Sequence, residues 1–329
     1  SLPSRGLGDV YKRQILYSKK KLNYKVFEGL PPVSGNQTHL RFHPTRSEWV
    51  GYSTTRQNRT FLPNTMECPL CPMTNDKELS DIPVDQYEVA IFTNRFSSLQ
   101  LQDSKIPSLE LETNQATGTC DVVSYSSNHQ DQFSNLPQER IELIIHALSN
   151  RTQELFENPN IKYILPFENK GKEIGVTLDH PHGQIYSFGH IPEIIKKQSI
   201  SQQGKPLENY LSNIPEELIL KKNSTGICFV PRWARYPFEI WVVPYRRVPD
   251  LYSLSDDEKK DLAELMLVAS KKLDGVFDTP MPYTLAWQLS PRGYEDSHHF
   301  HLCFQPIRRS KTKLKSVSYT HLRAHETEE

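Results

Sequence analysis

His180-Pro181-His182-Gly183-Gln184 and His299-Phe300-His301 each close a long stretch of chain that is built in the same order. Upstream of the first run lie two strand-like segments, Tyr87–Phe92 (YEVAIF) and Cys120–Tyr125 (CDVVSY). A helix then starts at Leu136-Pro137-Gln138-Glu139, with Ile141, Ile144, Ile145, Leu148, Leu155 and Phe156 at helical spacing. Upstream of the second run, Glu239–Val243 (EIWVV) reads as a strand. Ser255 and Glu258 then form a capping-box start to a helix whose stripe is Leu262, Leu265, Met266 and Leu273. Laying Phe133-x-x-Leu136 on Leu251-x-x-Leu254 fixes an offset of 118 residues, which carries His182 to within one position of His301. Strand, helix, strand and His-x-His thus occur twice at nearly constant spacing, and the expectation is an α+β fold of two related halves made by internal duplication. The Lys- and Gln-rich stretch from Lys196 to Lys205 is the expected linker between them.

Lys plus Arg equals Asp plus Glu at 39 each, so no global charge draws the chain to nucleic acid or to a membrane surface. No apolar run approaches the ~20 residues of a membrane-spanning helix, and the first residues lack the apolar core of a secretion signal. Five cysteines in 329 residues, an odd and sparse set, do not form a disulfide framework and point to a reducing cytoplasm. The ends are foreign in character. Residues 1–14 and 317–329 fit no pattern leading into their neighbours and resemble translated sequencing-adaptor read-through, so they are expected to be non-native flanks. This leaves an N-terminal half over residues 15–195 and a C-terminal half over 196–316.

Cys68-Pro69-Leu70-Cys71 has the spacing at which two thiolates face one metal ion. A redox pair is the alternative. Cys120, His129 and His180 are the further ligands on offer in the first half, and the preferred reading is a Cys2His2 structural zinc of Cys68, Cys71, His129 and His180. Iron is the other ion that such a soft tetrahedral site accepts. His180 would then fix the backbone just before His182. A neutral imidazole attacks phosphorus well and yields a phosphoramidate that stays reactive, which makes His182 the candidate nucleophile. Gln184 can donate to a phosphoryl oxygen without changing charge. Because alternate residues of a strand share a face, His180, His182 and Gln184 are expected on one side. Phe167-Glu168-Asn169-Lys170-Gly171 reads as a turn whose polar groups face phosphate or ribose. Arg56, Arg59 and Arg95 are the candidate cations for a diphosphate.

Together, RFHPTRSEWVGYSTTRQNRTF, CPLC, FTNRF, PFENKG, HPHGQIY and the late HFH resemble the galactose-1-phosphate uridylyltransferase family of the histidine-triad superfamily, over about Leu40 to Lys315. The resemblance implies two tandem histidine-triad-like halves with antiparallel sheets and packed helices. It also implies a ping-pong reaction in which His182 takes UMP from UDP-glucose and passes it to galactose 1-phosphate. By motif match Arg56, Arg59, Asn94, Asn169, Thr177 and Gln184 would contact the UDP portion, and Cys68, Cys71, His129 and His180 would hold the zinc. A homodimer is implied, with the active site at the subunit junction. Some members bind a second metal through a Glu, a His and the late His-x-His. Here Gln198 and Gln288 stand at the first two positions, so His299 and His301 are expected to be structural. The Arg309–Lys313 stretch runs directly into the suspected flank, which leaves the acceptor-sugar pocket expected to be incomplete. Two other readings stay open: a related transferase or phosphorylase acting on ADP-glucose or dinucleoside polyphosphates, and a non-catalytic nucleotide-binding module.

Overall fold

The computed structural model describes residues 13–18, 21–28, 37–54, 63, 67–73, 80–102 and 105–314. Two hairpins come first, β1 (Arg13–Ser18) with β2 (Lys21–Glu28), and β3 (Thr38–His43) with β4 (Glu48–Ser53). β5 (Val89–Thr93), β6 (Thr113–Gln115) and β7 (Gly118–Ser124) precede helix α1 (Gln138–Phe156), and β8 (Tyr163–Lys170) and β9 (His182–Phe188) follow it. Helices α2 (Glu193–Gly204) and α3 (Glu208–Leu211) lead into β10 (Ile219–Lys222), β11 (Gly226–Phe229) and β12 (Ile240–Pro244). Helix α4 (Asp256–Asp274), β13 (Tyr283–Gln288), β14 (His301–Pro306) and the short pair β15 (Arg308–Ser310) and β16 (Lys313–Leu314) complete the described chain. No helix among the described residues is long and apolar enough to cross a membrane.

Eleven strands form one antiparallel sheet in the order β10-β11-β12-β14-β13-β8-β9-β7-β5-β1-β2, and β4-β3-β6 form a small second sheet. The large order has the same meaning from either end. β5-β7-β9-β8 is answered by β11-β12-β14-β13, and the halves meet where Tyr283 pairs with Lys170 and Ala286 with Phe167. The expected duplication is therefore a pseudo-two-fold about the β8–β13 junction, and the two halves share their hydrogen bonding.

Alternation along these strands divides the sheet into two faces. Val123, Ile164, Ile185, Val242, Leu285 and Leu302 point to one face and join α1 and α4 in a single apolar core. The helix stripes supply the other side of that core: Ile141, Ile144, Ile145, Leu148 and Leu155 from α1, and Leu262, Leu265, Met266 and Leu273 from α4. Ser255 and Glu258 cap α4 reciprocally, as the sequence predicts. Arg151 of α1 is 3% exposed, and its Nε donates to Asp121 Oδ2 at 2.8 Å, a buried ion pair that ties α1 to β7.

Two expectations are corrected. The stretch read as a linker is helical: Lys, Gln and Ile suit a helix, and Ile195 and Ser199, one turn apart, are its buried positions in α2. Phe167–Lys170 is the end of strand β8 and not a turn. The turn comes at Gly171, whose φ of 103° suits glycine and where a Cβ would sit 2.7 Å from Pro282 Cβ. β1 starts at Arg13, so the sheet takes in the last two residues of the 1–14 stretch, with Arg13 opposite Glu28 and Gln14 opposite Phe27.

Candidate active site and metal centre

The face of the sheet opposite α1 and α4 carries the chemistry of the first half. β9 alternates strictly. Gly183 and Ile185 turn toward the core, while His182, Gln184 and Tyr186 turn to the other face. Ser124 and Val122 of β7 pair with His182 and Gln184, and Phe167 of β8 pairs with Gln184, so all five share that face. Asn169, two residues beyond Phe167, lies on it as well, with its Oδ1 accepting from Thr284 Oγ1 at 2.9 Å. Glu168 and Lys170 divide differently. Glu168 is buried on the core side, and Lys170 pairs with Asp274 at 2.6 Å, so neither serves the polar cluster expected of that run.

His180 lies before β9 begins, and its ring goes to the cysteine knuckle, so the shared face covers only His182 and Gln184. Its Nδ1 is 3.5 Å from Cys71 Sγ and 3.9 Å from Cys68 Sγ, and His129 Nδ1 is 3.4 Å from Cys71 Sγ. All four ligand atoms fall within 4.8 Å of one another. A tetrahedral ion with bonds of about 2.0–2.3 Å separates its ligands by about 3.3–3.8 Å, so the cluster has the dimensions of a metal site. The support around it is built for rigidity. Cys71 N–H donates to Cys68 O at 3.2 Å, and Ser80 Oγ donates to Cys71 O at 2.7 Å. His180 Nε2–H donates to Ser126 O at 2.6 Å, which places the lone pair on Nδ1, toward the thiols. Tyr87 Oη donates to Leu70 O at 2.7 Å and joins the knuckle to β7.

The nucleophile candidate is held from the same turn. His182 Nδ1 is 2.7 Å from His180 O, so Nδ1–H donates to that carbonyl and the ring's lone pair is on Nε2. A glycine follows because nothing else fits: a Cβ at Gly183 would lie 2.1 Å from Tyr125 Oη and 2.9 Å from Phe167 O. Tyr125 N–H in turn donates to Pro181 O at 3.1 Å. Gln184 Oε1 is buried and has no hydrogen-bond partner among the described residues, so its side chain keeps hydrogen-bonding capacity beside His182. Asn94 follows β5, its N–H bonded to Cys120 O at 2.8 Å and its Oδ1 accepting from Phe96 N–H at 2.9 Å. Thr177 is half-buried in the extended segment leading to His180. Arg95 is 3.7 Å from Asp81, a surface ion pair. Arg56 and Arg59 lie outside the described residues. Tyr87, Tyr125, Ser126 and Gly183 were not singled out in the sequence. Only Gly183 had a signal there, as a residue without a side chain between two functional ones.

Beneath β9 a buried carboxyl faces two phenols. Tyr283 Oη donates to Glu168 Oε1 at 3.3 Å, and Glu168 Oε2 has no hydrogen-bond partner among the described residues. Burial pushes the Glu168 carboxyl up to about 7, against the opposing pull of Lys170.

The second half repeats the backbone device with different surroundings. His301 Nδ1 is 2.8 Å from His299 O, matching His182 on His180 O. Cys303 stands where Gln184 does, paired with Ala286 and Trp241. Trp241 stacks on His301 with ring centroids 4.6 Å apart, and burial pushes that imidazole down to about 3, so it is neutral. His299, Gln198 and Gln288 also carry buried polar atoms with no hydrogen-bond partner among the described residues. Two imidazoles and two neutral amides supply no anionic ligand, and the neighbouring carboxylate of Glu208 is 3.6 Å from His299 Nδ1. Among the described residues, only Cys68, Cys71, His129 and His180 bring three or more His, Cys, Asp or Glu ligand atoms within reach of one ion.

Known proteins agree with this architecture. Sequence models of the N-terminal and C-terminal domains of galactose-1-phosphate uridyl transferase match residues 32–192 and 193–328. The galactose-1-phosphate uridylyltransferase of Thermotoga maritima is 34% identical over 84% of this chain and 89% of its own length. That of Streptomyces lividans is 30% identical over 82% and 77%. A solved uridylyltransferase superposes with a TM-score of 0.75 at 27% identity, covering 85% of this chain and 90% of the other. With both domain models matched in tandem and a relative above 30% identity along nearly its whole length, the chain belongs to the galactose-1-phosphate uridylyltransferase family.

Proposed function

We propose that this enzyme moves UMP from UDP-glucose to galactose 1-phosphate through a covalent uridylyl-histidine on His182. The observation that carries the reading is the His182 tautomer: Nδ1–H is held by His180 O at 2.7 Å, which leaves Nε2 as the attacking nitrogen. Nε2 forms a bond to the α-phosphorus as the bond to the glucose 1-phosphate oxygen breaks, and glucose 1-phosphate departs with that electron pair. The uridylylated ring is cationic, and the Nδ1–H bond to a carbonyl stabilises the charge. A phosphate oxygen of galactose 1-phosphate then attacks the same phosphorus and restores the imidazole. Gln184 donates from its amide to a phosphoryl oxygen in both directions. It has no proton to give, and a departing sugar phosphate needs none. Asn94, Asn169 and Thr177 hold the nucleotide, and Arg56 and Arg59 neutralise the diphosphate.

The Cys68, Cys71, His129 and His180 cluster would hold zinc, with iron as the substitute. Bound there, the ion supplies rigidity to the turn from which His182 projects and takes no part in bond making. The assembly is proposed to be a cytoplasmic homodimer, which a native mass measurement tests. The assay that decides the substrate pair offers UDP-glucose with galactose 1-phosphate against ADP-glucose with phosphate. Turnover with the first pair is expected, with one product formed before the second substrate binds. Turnover with only the second pair would overturn the reading.

A further inference from the structure

The register of the sheet allows the two halves to be compared position by position. In the first half Gln184 pairs with Val122, and Val122 with Phe92. In the second half Cys303 pairs with Trp241, and Trp241 with Phe229. Phe229 is therefore the counterpart of Phe92, and Val230-Pro231-Arg232-Trp233 is the counterpart of Thr93-Asn94-Arg95-Phe96. In that first-half segment Asn94 is the residue assigned above to the nucleotide, and Pro231 stands in its place here. In the second half the same segment lines an open cavity of about 400 Å³. Phe229, Trp233 and Tyr210 line it with Ile214, Pro215 and Leu218, so the lining is mostly apolar, and Asn209 is its polar neighbour from the α3 region. Trp233 and Tyr210 meet edge to face at 5.5 Å, yet each stays more than a third exposed, at 40% and 44%. Arg232 is exposed at the rim and has no ion pair or hydrogen bond among the described residues.

Trp241 makes the difference between the halves. Where the first half has Val122 beside its nucleophile, the second has an indole stacked on His301. Its Nε1–H donates to Glu239 Oε1 at 2.7 Å, and Glu239 is buried and also accepts from the Arg235 and Tyr236 N–H groups. The indole is thus fixed, and it closes the space in which a phosphorus would approach His301. Beside it the cavity remains, with aromatic faces for a planar ring, the Asn209 amide for its polar edge and the Arg232 guanidinium for a phosphate, while the Asn213 amide donates to Asn209 O and Ser212 Oγ.

We propose that this cavity is a second, non-catalytic binding site for a nucleoside monophosphate, a relic of the duplicated nucleotide pocket whose reactive end Trp241 has plugged. The proposal rests on the reading of the first half as a nucleotide site. Calorimetric titration of the full chain with UMP should show two sites per chain. Arg232→Ala and Trp233→Ala should each weaken one of them at least tenfold, while UDP-glucose still uridylylates His182. A single UMP site in the unaltered protein, with the His182 adduct forming normally, would overturn the proposal. So would a second site that survives both substitutions, or one that binds glucose 1-phosphate and not UMP. Failure of the His182 adduct, with UMP binding that Trp233→Ala abolishes, would instead defeat the first-half reading and with it the relic origin, while the cavity would still be a UMP site.

Discussion

At Gly183 the demands of packing and of chemistry meet in one residue. The Tyr125 hydroxyl occupies the place of a Cβ, 2.1 Å from where it would be. Gly183→Ala must therefore move either Tyr125 or the strand that carries His182. The expected cost is about 1–3 kcal/mol of stability and roughly a hundredfold in transfer rate, since small displacements of a nucleophile are expensive. Adding Tyr125→Phe, which removes the hydroxyl, should recover part of both; thermal unfolding and the rate of adduct formation are the readouts. Glu168 makes a second prediction, about pH. Its carboxyl titrates near 7 in the folded chain, above its unfolded value of about 4.5, so the folded state holds the extra proton between those limits. Stability conferred by the neutral carboxyl is full below about pH 4.5 and is lost as pH rises to about 7, by on the order of 3 kcal/mol. Glu168→Gln should flatten this decline, and equal slopes of unfolding free energy against pH in both proteins would contradict it. The gathering of Cys68, Cys71, His129 and His180 and the shared face of His182 and Gln184 were legible in the sequence because short runs carry their chemistry. Glu168 was misplaced because five residues of FENKG look alike as a polar cluster; only the pleat of β8 separates Asn169 on one face from Glu168 on the other.

Elements carry the support for that chemistry. The knuckle reaches β9 through His180, whose ring belongs to the cluster and whose carbonyl holds His182. One equivalent of metal per chain is expected. Cys71→Ser or His129→Ala should lose it, lower the melting temperature and slow adduct formation, as elemental analysis beside calorimetry will show. Retention of full metal content by both variants would remove these residues from the ligand set. Helix α1 depends on a different device. Arg151 and Asp121 are both nearly inaccessible, and Arg151→Ala leaves a buried carboxylate unpaired, at an expected cost of about 3–5 kcal/mol measured by denaturant unfolding. The long helices were legible from their apolar period and from the Ser255 cap. Helix α2 was not, because its sparse buried positions, Ile195 and Ser199, carry too weak a stripe to separate it from a polar linker.

Across the whole molecule, duplication was legible as a repeated order of elements, but the joining of both halves through β8 and β13 was not. Strand partners distant in sequence leave no periodic trace in either strand. Because that junction and the common core under α1 and α4 make one unit of the two halves, unfolding should show a single calorimetric transition. Two resolved transitions would mean that each half is stable alone. The halves nevertheless differ in chemistry: His182 stands beside Val122 and Gln184, whereas His301 lies under Trp241. The most direct measurement is the denatured mass of the chain after incubation with UDP-glucose, followed by peptide mapping. A gain of one UMP per chain is expected, carried by the peptide containing His182 and absent from His182→Gly. An adduct on the His301 peptide, or one that survives His182→Gly, would contradict the account.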